Sequence, residues 1–487
     1  MTPHQASRLE KTSGNPNVSG PGVISPGTAS PSWHGAAACP AVCPWGSRHP
    51  GTLARWRRGM VLLLLLVLVG GAEAGESSPR TLSLEECLAL AEASHPELRS
   101  AEADERAERA RLRQIAAREG VLVDATATES NAARGNVGHS LGVSAGVQIY
   151  DAGKTRRETT AQERSVERAR WTRKRLRSEL LTTVRKSYIE LLMAHATERQ
   201  ARATVEVFED HLATARGFYE AGTKSRIDVT KAEVDLGNAR TELVKAGGAR
   251  KLAEATLINA LGVFDLPPFD PVDLSPDLSP PPAEEALLRQ ALERRGDLRA
   301  ARLQEQSGRL RTEVAARGDA PTARLQGSWE YAGSSFPLEE NGRVAVTVSW
   351  PVTDAGATRG AVEESRAQED ALAAASELLR QRIALELRKA LRALEEAQAR
   401  RKTQELVERQ AEENLELATG RYEAGVGSAL EVTDAVLALN DARLGAYQVR
   451  YDAAAARADL ELAAGSLEGE DAARENASAP SAKEKKS

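Results

Sequence analysis

Aromatic residues make up only 4% of this 487-residue chain, with five Phe, six Trp and seven Tyr. So small a share argues against a large globular core, which leans on big flat side chains. Long apolar runs are also missing. The longest, Val61–Val69, has nine residues, well short of the ~20 that a membrane-crossing helix needs. Charge of one sign is not in excess: 65 basic and 70 acidic residues leave a net charge of -5. Both signs are interleaved, so the chain carries no nucleic-acid footprint. Histidine is scarce, and the four after the apolar run, His95, His139, His195 and His211, lack metal-ligand spacing. No Ser/His/Asp or Cys/His set converges in the sequence framework, and no cofactor or metal is called for. What remains is 41% hydrophobic and 28% charged, which excludes wholesale disorder and a polytopic helical membrane protein. Alanine is abundant, as close helix-on-helix packing requires.

The nine-residue apolar run follows Arg55, Arg57 and Arg58 and precedes Ala72-Glu73-Ala74. That order predicts a secretory signal with an A-x-A cleavage site and a mature chain from about Gly75. No Cys directly follows the run, so no lipid attachment site is expected. Residues 1–52 are rich in Pro, Gly and Ser, and translation is expected to begin near Leu53 or Met60. Of three cysteines, Cys39 and Cys43 leave with the signal. Cys87 alone stays, which excludes an intrachain disulfide and, from its helical apolar setting, makes it a small core residue.

The mature chain is written twice. Tyr219-Glu220-Ala221-Gly222 recurs as Tyr422-Glu423-Ala424-Gly425, 203 positions later, and the same offset relates Ser225 to Ser428 and Leu236 to Leu439. Earlier in each copy the offset is 200, as for Leu98-Arg99 and Leu298-Arg299. The copies are expected to span residues 75–264 and 283–466, with a Pro-rich linker at 265–282, and the polar tail at 467–487 is expected to be disordered.

Each copy opens with one helix of three to four tens of residues, from near Ser83 and Ala283. Two alternating strands follow, at about 121–130 and 140–151, then 321–331 and 343–353. Ala323, Leu325, Gly327, Trp329 and Tyr331 share one face, and Val344, Val346, Val348 and Trp350 alternate likewise. Next comes a helical stripe, Leu176, Leu180, Val184, Tyr188 and Leu191, matched by Leu379, Ile383, Leu387, Leu391 and Leu394. The uninterrupted helical pattern over 156–218 would reach roughly 95 Å, which implies a coiled coil or a tube.

Tips are expected at about 219–228 and 422–431. Gly222 and Gly425 suit the left-handed position that closes a helix. Ser225 and Ser428 suit the next N-cap, with an S-x-x-E box at Ser428–Glu431 and a weaker S-x-x-D version at Ser225–Asp228. Each copy is then a long helical hairpin with a strand pair at its far end.

Asp151-Ala152-Gly153-Lys154-Thr155-Arg156 resembles the close of a phosphate-binding loop. That loop needs a Gly five residues before its second Gly, and position 148 is Gln148. The second copy, Asp354-Ala355-Gly356-Ala357-Thr358-Arg359, drops the lysine. The twice-kept Asp and Gly (Asp151 and Gly153, Asp354 and Gly356) predict a turn joining a strand to a helix, with Asp capping the helix start.

Amphipathic ten-residue strands on an exported chain fit membrane-spanning strands. Four cannot close a barrel, and open edges are not tolerated in lipid, so several chains must share one barrel. The competing reading is a periplasmic coiled-coil adaptor or scaffold protein without a membrane barrel.

The signal, the duplicated helix–strand–strand–long helix–helix unit, the D-x-G turn and the Y-x-x-G…S-x-x-D/E-V tip together resemble the TolC-like outer-membrane efflux proteins. The likeness covers residues 82–465. It implies a mainly α fold with a small transmembrane β part: a homotrimer with a twelve-stranded barrel in the outer membrane of a Gram-negative-type bacterium, continued by an α-helical periplasmic tunnel. It implies a passive exit duct for tripartite efflux or type I secretion, served by an inner-membrane pump and a periplasmic adaptor (membrane fusion) protein, and surrounded by outer-membrane lipid. The tips would form the periplasmic entrance. Tyr422 matches the family's tip tyrosine, Glu431 and Asp434 its acidic constriction, and Asp228 an acidic latch partner. Tyr219 and Lys224 hold the corresponding places in the first copy. Gly427 stands where a basic latch residue is expected, so rearranged closing contacts are anticipated. Glu431 and Asp228 have an equal local use as helix caps, and Tyr219 and Tyr422 as packing beside the Gly turns. Neither the exported substrate nor the pump is encoded in these motifs.

Overall fold

The computed structural model describes residues 80–131, 137–274 and 279–466. The expected export signal, the region before it, the polar tail and part of the linker lie outside the described residues.

A three-residue strand, β1 (Arg80–Leu82), leads into α1 (Leu84–Ser94) and α2 (Pro96–Ala116). Strands β2 (Leu122–Asn131) and β3 (Val137–Tyr150) follow, then the long helix α3 (Lys154–Glu220) and its return helix α4 (Arg226–Ala260). After β4 (Phe269–Pro271) the pattern repeats. The second copy comprises α5 (Glu284–Arg294), α6 (Gly296–Ala315), β5 (Thr322–Gly333), β6 (Glu339–Ser349), α7 (Ala357–Glu423) and α8 (Ala429–Ala463). Both long helices have 67 residues, roughly 100 Å of rise.

The opening helix of each copy is two helices, not one. Pro96 sits at the first position of α2, and His95 before it is extended (φ -63°, ψ 127°), as a residue preceding proline tends to be. Arg295 takes the same conformation before Gly296. Each break packs against the glycine that ends a return helix. A Cβ on Gly262 would lie 2.5 Å from His95 Cδ2, and one on Gly465 3.1 Å from Arg295 Cγ. Arg295 is 2% exposed and bonds Asp297 at 2.6 Å and Glu386 at 2.7 Å. A buried guanidinium needs such partners.

The linker is not bare either. Its β4 pairs in parallel with β1, Thr81 opposite Asp270. Tyr188 ties both to α3, its hydroxyl 2.8 Å from the Leu82 carbonyl and 2.7 Å from that of Val272. Around it Val184, Leu191, Leu192, Leu257 and Leu261 form one core, with Cys87 and Ala91. Each such leucine contributes about 1.5–3 kcal/mol by burial. Burial pushes the Cys87 thiol up to about 12, with Glu86 adding to it, so the thiol is inert. In the second copy Ile383, Leu387, Leu391 and Leu394 are buried against α5, α6 and α8. Along α8, Ala429, Ala435, Ala442, Ala453 and Ala456 are buried, which is how so few aromatics suffice.

The four long strands form one antiparallel sheet in the order β2-β3-β5-β6. The register sets Ala125 beside Val143, Val143 beside Trp329, and Leu325 beside both Val147 and Val346. One face therefore carries Val123, Leu141, Val143, Tyr150, Trp329, Tyr331, Val344, Val346 and Val348, all exposed. The other carries Asp124, Thr126, Thr128, Ser140, Ser144, Gln148, Arg324, Gln326, Ser328 and Thr347. The outer edges of β2 and β6 have no partner strand among the described residues. Strand β6 starts and ends four residues earlier than the sequence pattern suggests. Pro351 lacks the N–H that a ladder needs, and the ladder instead extends back to Glu339, opposite Ala332. No described helix is long and apolar enough to cross a membrane.

Candidate functional site

The strand-to-helix joints are built alike. At the first, Asp151 accepts the Gly153 N–H at 2.8 Å and the Thr155 N–H at 2.7 Å. At the second, Asp354 accepts those of Gly356 at 2.9 Å and Thr358 at 2.7 Å. The chain turns through two left-handed residues each time, Ala152 and Gly153 (φ 58° and 73°), Ala355 and Gly356 (φ 52° and 90°). Partial burial of Asp151 would raise its pKa, but hydrogen bonds from Thr155 and Gly153 outweigh it and hold the carboxyl below the ordinary value. Asp354 is lowered too, chiefly by Thr358. Lys154 Nζ reaches the Gly318 carbonyl at 3.4 Å, a contact to protein backbone.

The tips share a motif and differ in structure. Gly222 and Gly425 are both left-handed (φ 71° and 78°) and close their helices. Ser225 caps α4 through the Ile227 N–H at 3.3 Å, and Asp228 returns a bond from the Ser225 N–H at 3.1 Å. The reciprocal box is thus complete where the sequence makes it look weaker. At the second tip Ser428 accepts from the Glu431 N–H at 3.2 Å, while the Glu431 carboxylate turns to Arg421 at 3.3 Å.

Tyr219 is 46% exposed, whereas Tyr422 is 1% exposed. Tyr422 sits between the two hairpins, edge-on to Phe218 at 5.6 Å and tilted against His211 at 5.3 Å between ring centroids. Lys224, from the first tip, lies 4.9 Å above the Tyr422 ring, within cation–π range. Its Nζ donates to the Gly427 carbonyl at 3.1 Å. Gly427 has no room for the basic side chain expected there, because a Cβ would fall 2.9 Å from the Tyr422 backbone N. The cation comes from the first copy instead. Asp228 lies close enough to help burial raise the Tyr422 pKa. Asp434 is exposed on the first turns of α8, and no described residue pairs with it.

Lys224, Tyr422 and Asp228 are therefore brought together; Tyr219, Glu431 and Asp434 stand apart from that cluster. Sequence reasoning missed Phe218, His211 and Arg421. Phe208, His211, Ala215 and Phe218 recur along α3 at the spacing of a buried stripe, which was the available signal.

Comparison with known proteins fits this geometry. A family model described as outer membrane efflux protein matches residues 87–263 and 287–466. The chain belongs to that family. The two matched segments coincide with the two copies, so the family's unit is the repeat itself. Among solved structures, CusC aligns with a TM-score of 0.71 and 18% identity, over 81% of this chain and 95% of its own. The outer-membrane channel OprN gives 0.71 and 20%, over 78% and 89%. VceC of Vibrio cholerae gives 0.68 and 20%, over 78% and 96%. At such identities the likeness speaks for the fold. No match was found among curated proteins. As an outer membrane efflux protein, the chain is an outer-membrane channel subunit of an efflux system, with a large helical part in the periplasm. The reading as a scaffold without a membrane barrel is set aside.

Proposed function

We propose that three copies close one twelve-stranded barrel, each adding its four strands, and that the long helices continue it as a tunnel across the periplasm. The observation that carries this is the sheet itself: an exposed apolar face, a polar face and two open edges. In lipid those edges must pair, and β6 of one copy is antiparallel to β2 of the next. Exposed apolar stripes support lateral closure lower down: Ile227, Val234, Val244 and Leu252 on α4, and Leu378, Leu385, Leu406 and Leu417 on α7.

The assembly is a passive duct with no chemistry of its own. An inner-membrane pump loads it through a periplasmic adaptor that grips the tips. Lys224, Tyr422 and Asp228 latch the two hairpins together, with Tyr219 outside as an adaptor contact. Three copies of Asp434 and Glu431 around the axis repel one another and draw cations into the entrance. Planar-bilayer recording tests this. Purified protein should conduct, and Asp434→Ala with Glu431→Ala should lower its cation preference. Unchanged selectivity removes both from the constriction, and absence of any conductance removes the duct.

A further inference from the structure

At the junction of the two tips two buried polar atoms lack partners among the described residues: His211 Nε2 and the Tyr422 hydroxyl. His211 is 7% exposed. A buried polar atom without a partner is unfavourable, and opening this junction to solvent would give both atoms one. We propose that His211 is a proton sensor for tip opening: its neutral ring fits the closed tip, and its protonated ring favours a splayed, hydrated one. This rests on the reading of the tips as the channel entrance.

The groups around the ring come from several elements. Helix α4 presents Asp228, Lys231 and Asp235. Asp235 also accepts from the Thr433 hydroxyl of α8 at 2.9 Å. Helix α7 supplies Tyr422, and the turn after α3 supplies Lys224 above it. Burial is the largest influence on His211 and lowers its pKa from 6.5; Lys231 adds to that, while Asp235 and Asp228 oppose it without prevailing. A group depressed in the closed form stabilises that form above its ordinary pKa. The stabilisation is lost as pH falls below 6.5 toward the depressed value. A charged imidazolium buried against the Tyr422 ring, with Lys231 among its charged neighbours, has poor solvation, and separating α7 from α3 restores water to it.

Hydrogen exchange over residues 205–220 of the full-length protein, corrected for intrinsic pH dependence, reads the effect directly. Wild type should lose protection several-fold between about pH 7.5 and pH 5.5. His211→Phe, which keeps a ring and removes the proton site, should not, and His211→Gln should follow it. A variant profile that tracks wild type overturns the proposal. Bilayer recording separates the two claims. If Lys224→Ala conducts at every pH while open probability rises on acidification in wild type and not in His211→Phe, both stand. If the exchange result holds and no variant conducts, the sensor stands and the entrance reading falls.

Discussion

The two joints of this duplicated chain are alike, and its two tips are not. At the joints Asp151 and Asp354 make the same pair of bonds to within 0.1 Å. At the tips Tyr219 faces water and Tyr422 is enclosed; Lys224 has lost its counterpart at Gly427; one acid closes a box and the other binds an arginine. A joint solves the same local problem twice, turning a strand into a helix, and one solution serves both copies. The tips touch each other. A contact between two copies in one chain has two different sides, so identical sequences would leave one side unsuited.

The largest test of that contrast is Tyr422→Ala against Tyr219→Ala. Emptying the aromatic pocket should cost the tip about 3–5 kcal/mol, read as lost exchange protection near 211–218. The exposed partner should cost no more than about 0.5 kcal/mol. Equal losses would erase the distinction between the tips.

The joints should behave as equals. Asp151→Ala and Asp354→Ala should each lower local helix stability by a similar amount, measured by exchange at the first turns of α3 and α7. Because both carboxyls sit below the ordinary 3.8, their capping is fully present above that value and is lost only as pH falls through the lower folded value. Exchange at the joints should be flat from about pH 8 to pH 5, across the range in which the His211 tip is expected to change. A small effect is also expected of Arg421→Ala, which breaks a surface pair worth about 0.2–1 kcal/mol, visible at the second tip alone.

Much of this was legible in the sequence, because periodicity and duplication report directly on faces and order. Val344, Val346 and Val348 announced the apolar face of β6, and Leu387, Leu391 and Leu394 the buried stripe of α7. The break at His95 was signalled by Pro96, but its twin at Arg295 has no proline, and only the packing of Gly465 against it explains the stop. Strand β4 is three residues in a Pro-rich segment and exists through pairing with β1, some 190 residues away; local pattern carries no trace of that. The tip was half legible. Tyr422 stood out by repeat comparison, and Lys224 and Asp228 through the family resemblance, whereas His211 looked like one scattered histidine until α7 was laid across it.

Closure of the barrel between copies is the claim on which the rest depends. Within the chain Ser144 faces Ser328 across β3 and β5. Carrying that pair through the repeat offsets of 203 and 200 sets Thr347 of one copy opposite Thr128 of the next, both on the polar face. Thr128→Cys with Thr347→Cys, oxidised in outer membranes and run without reductant, should give a ladder that ends at a covalent trimer, with each single variant staying monomeric. A double variant that stays monomeric under oxidation, or a ladder that runs past three, would contradict the account.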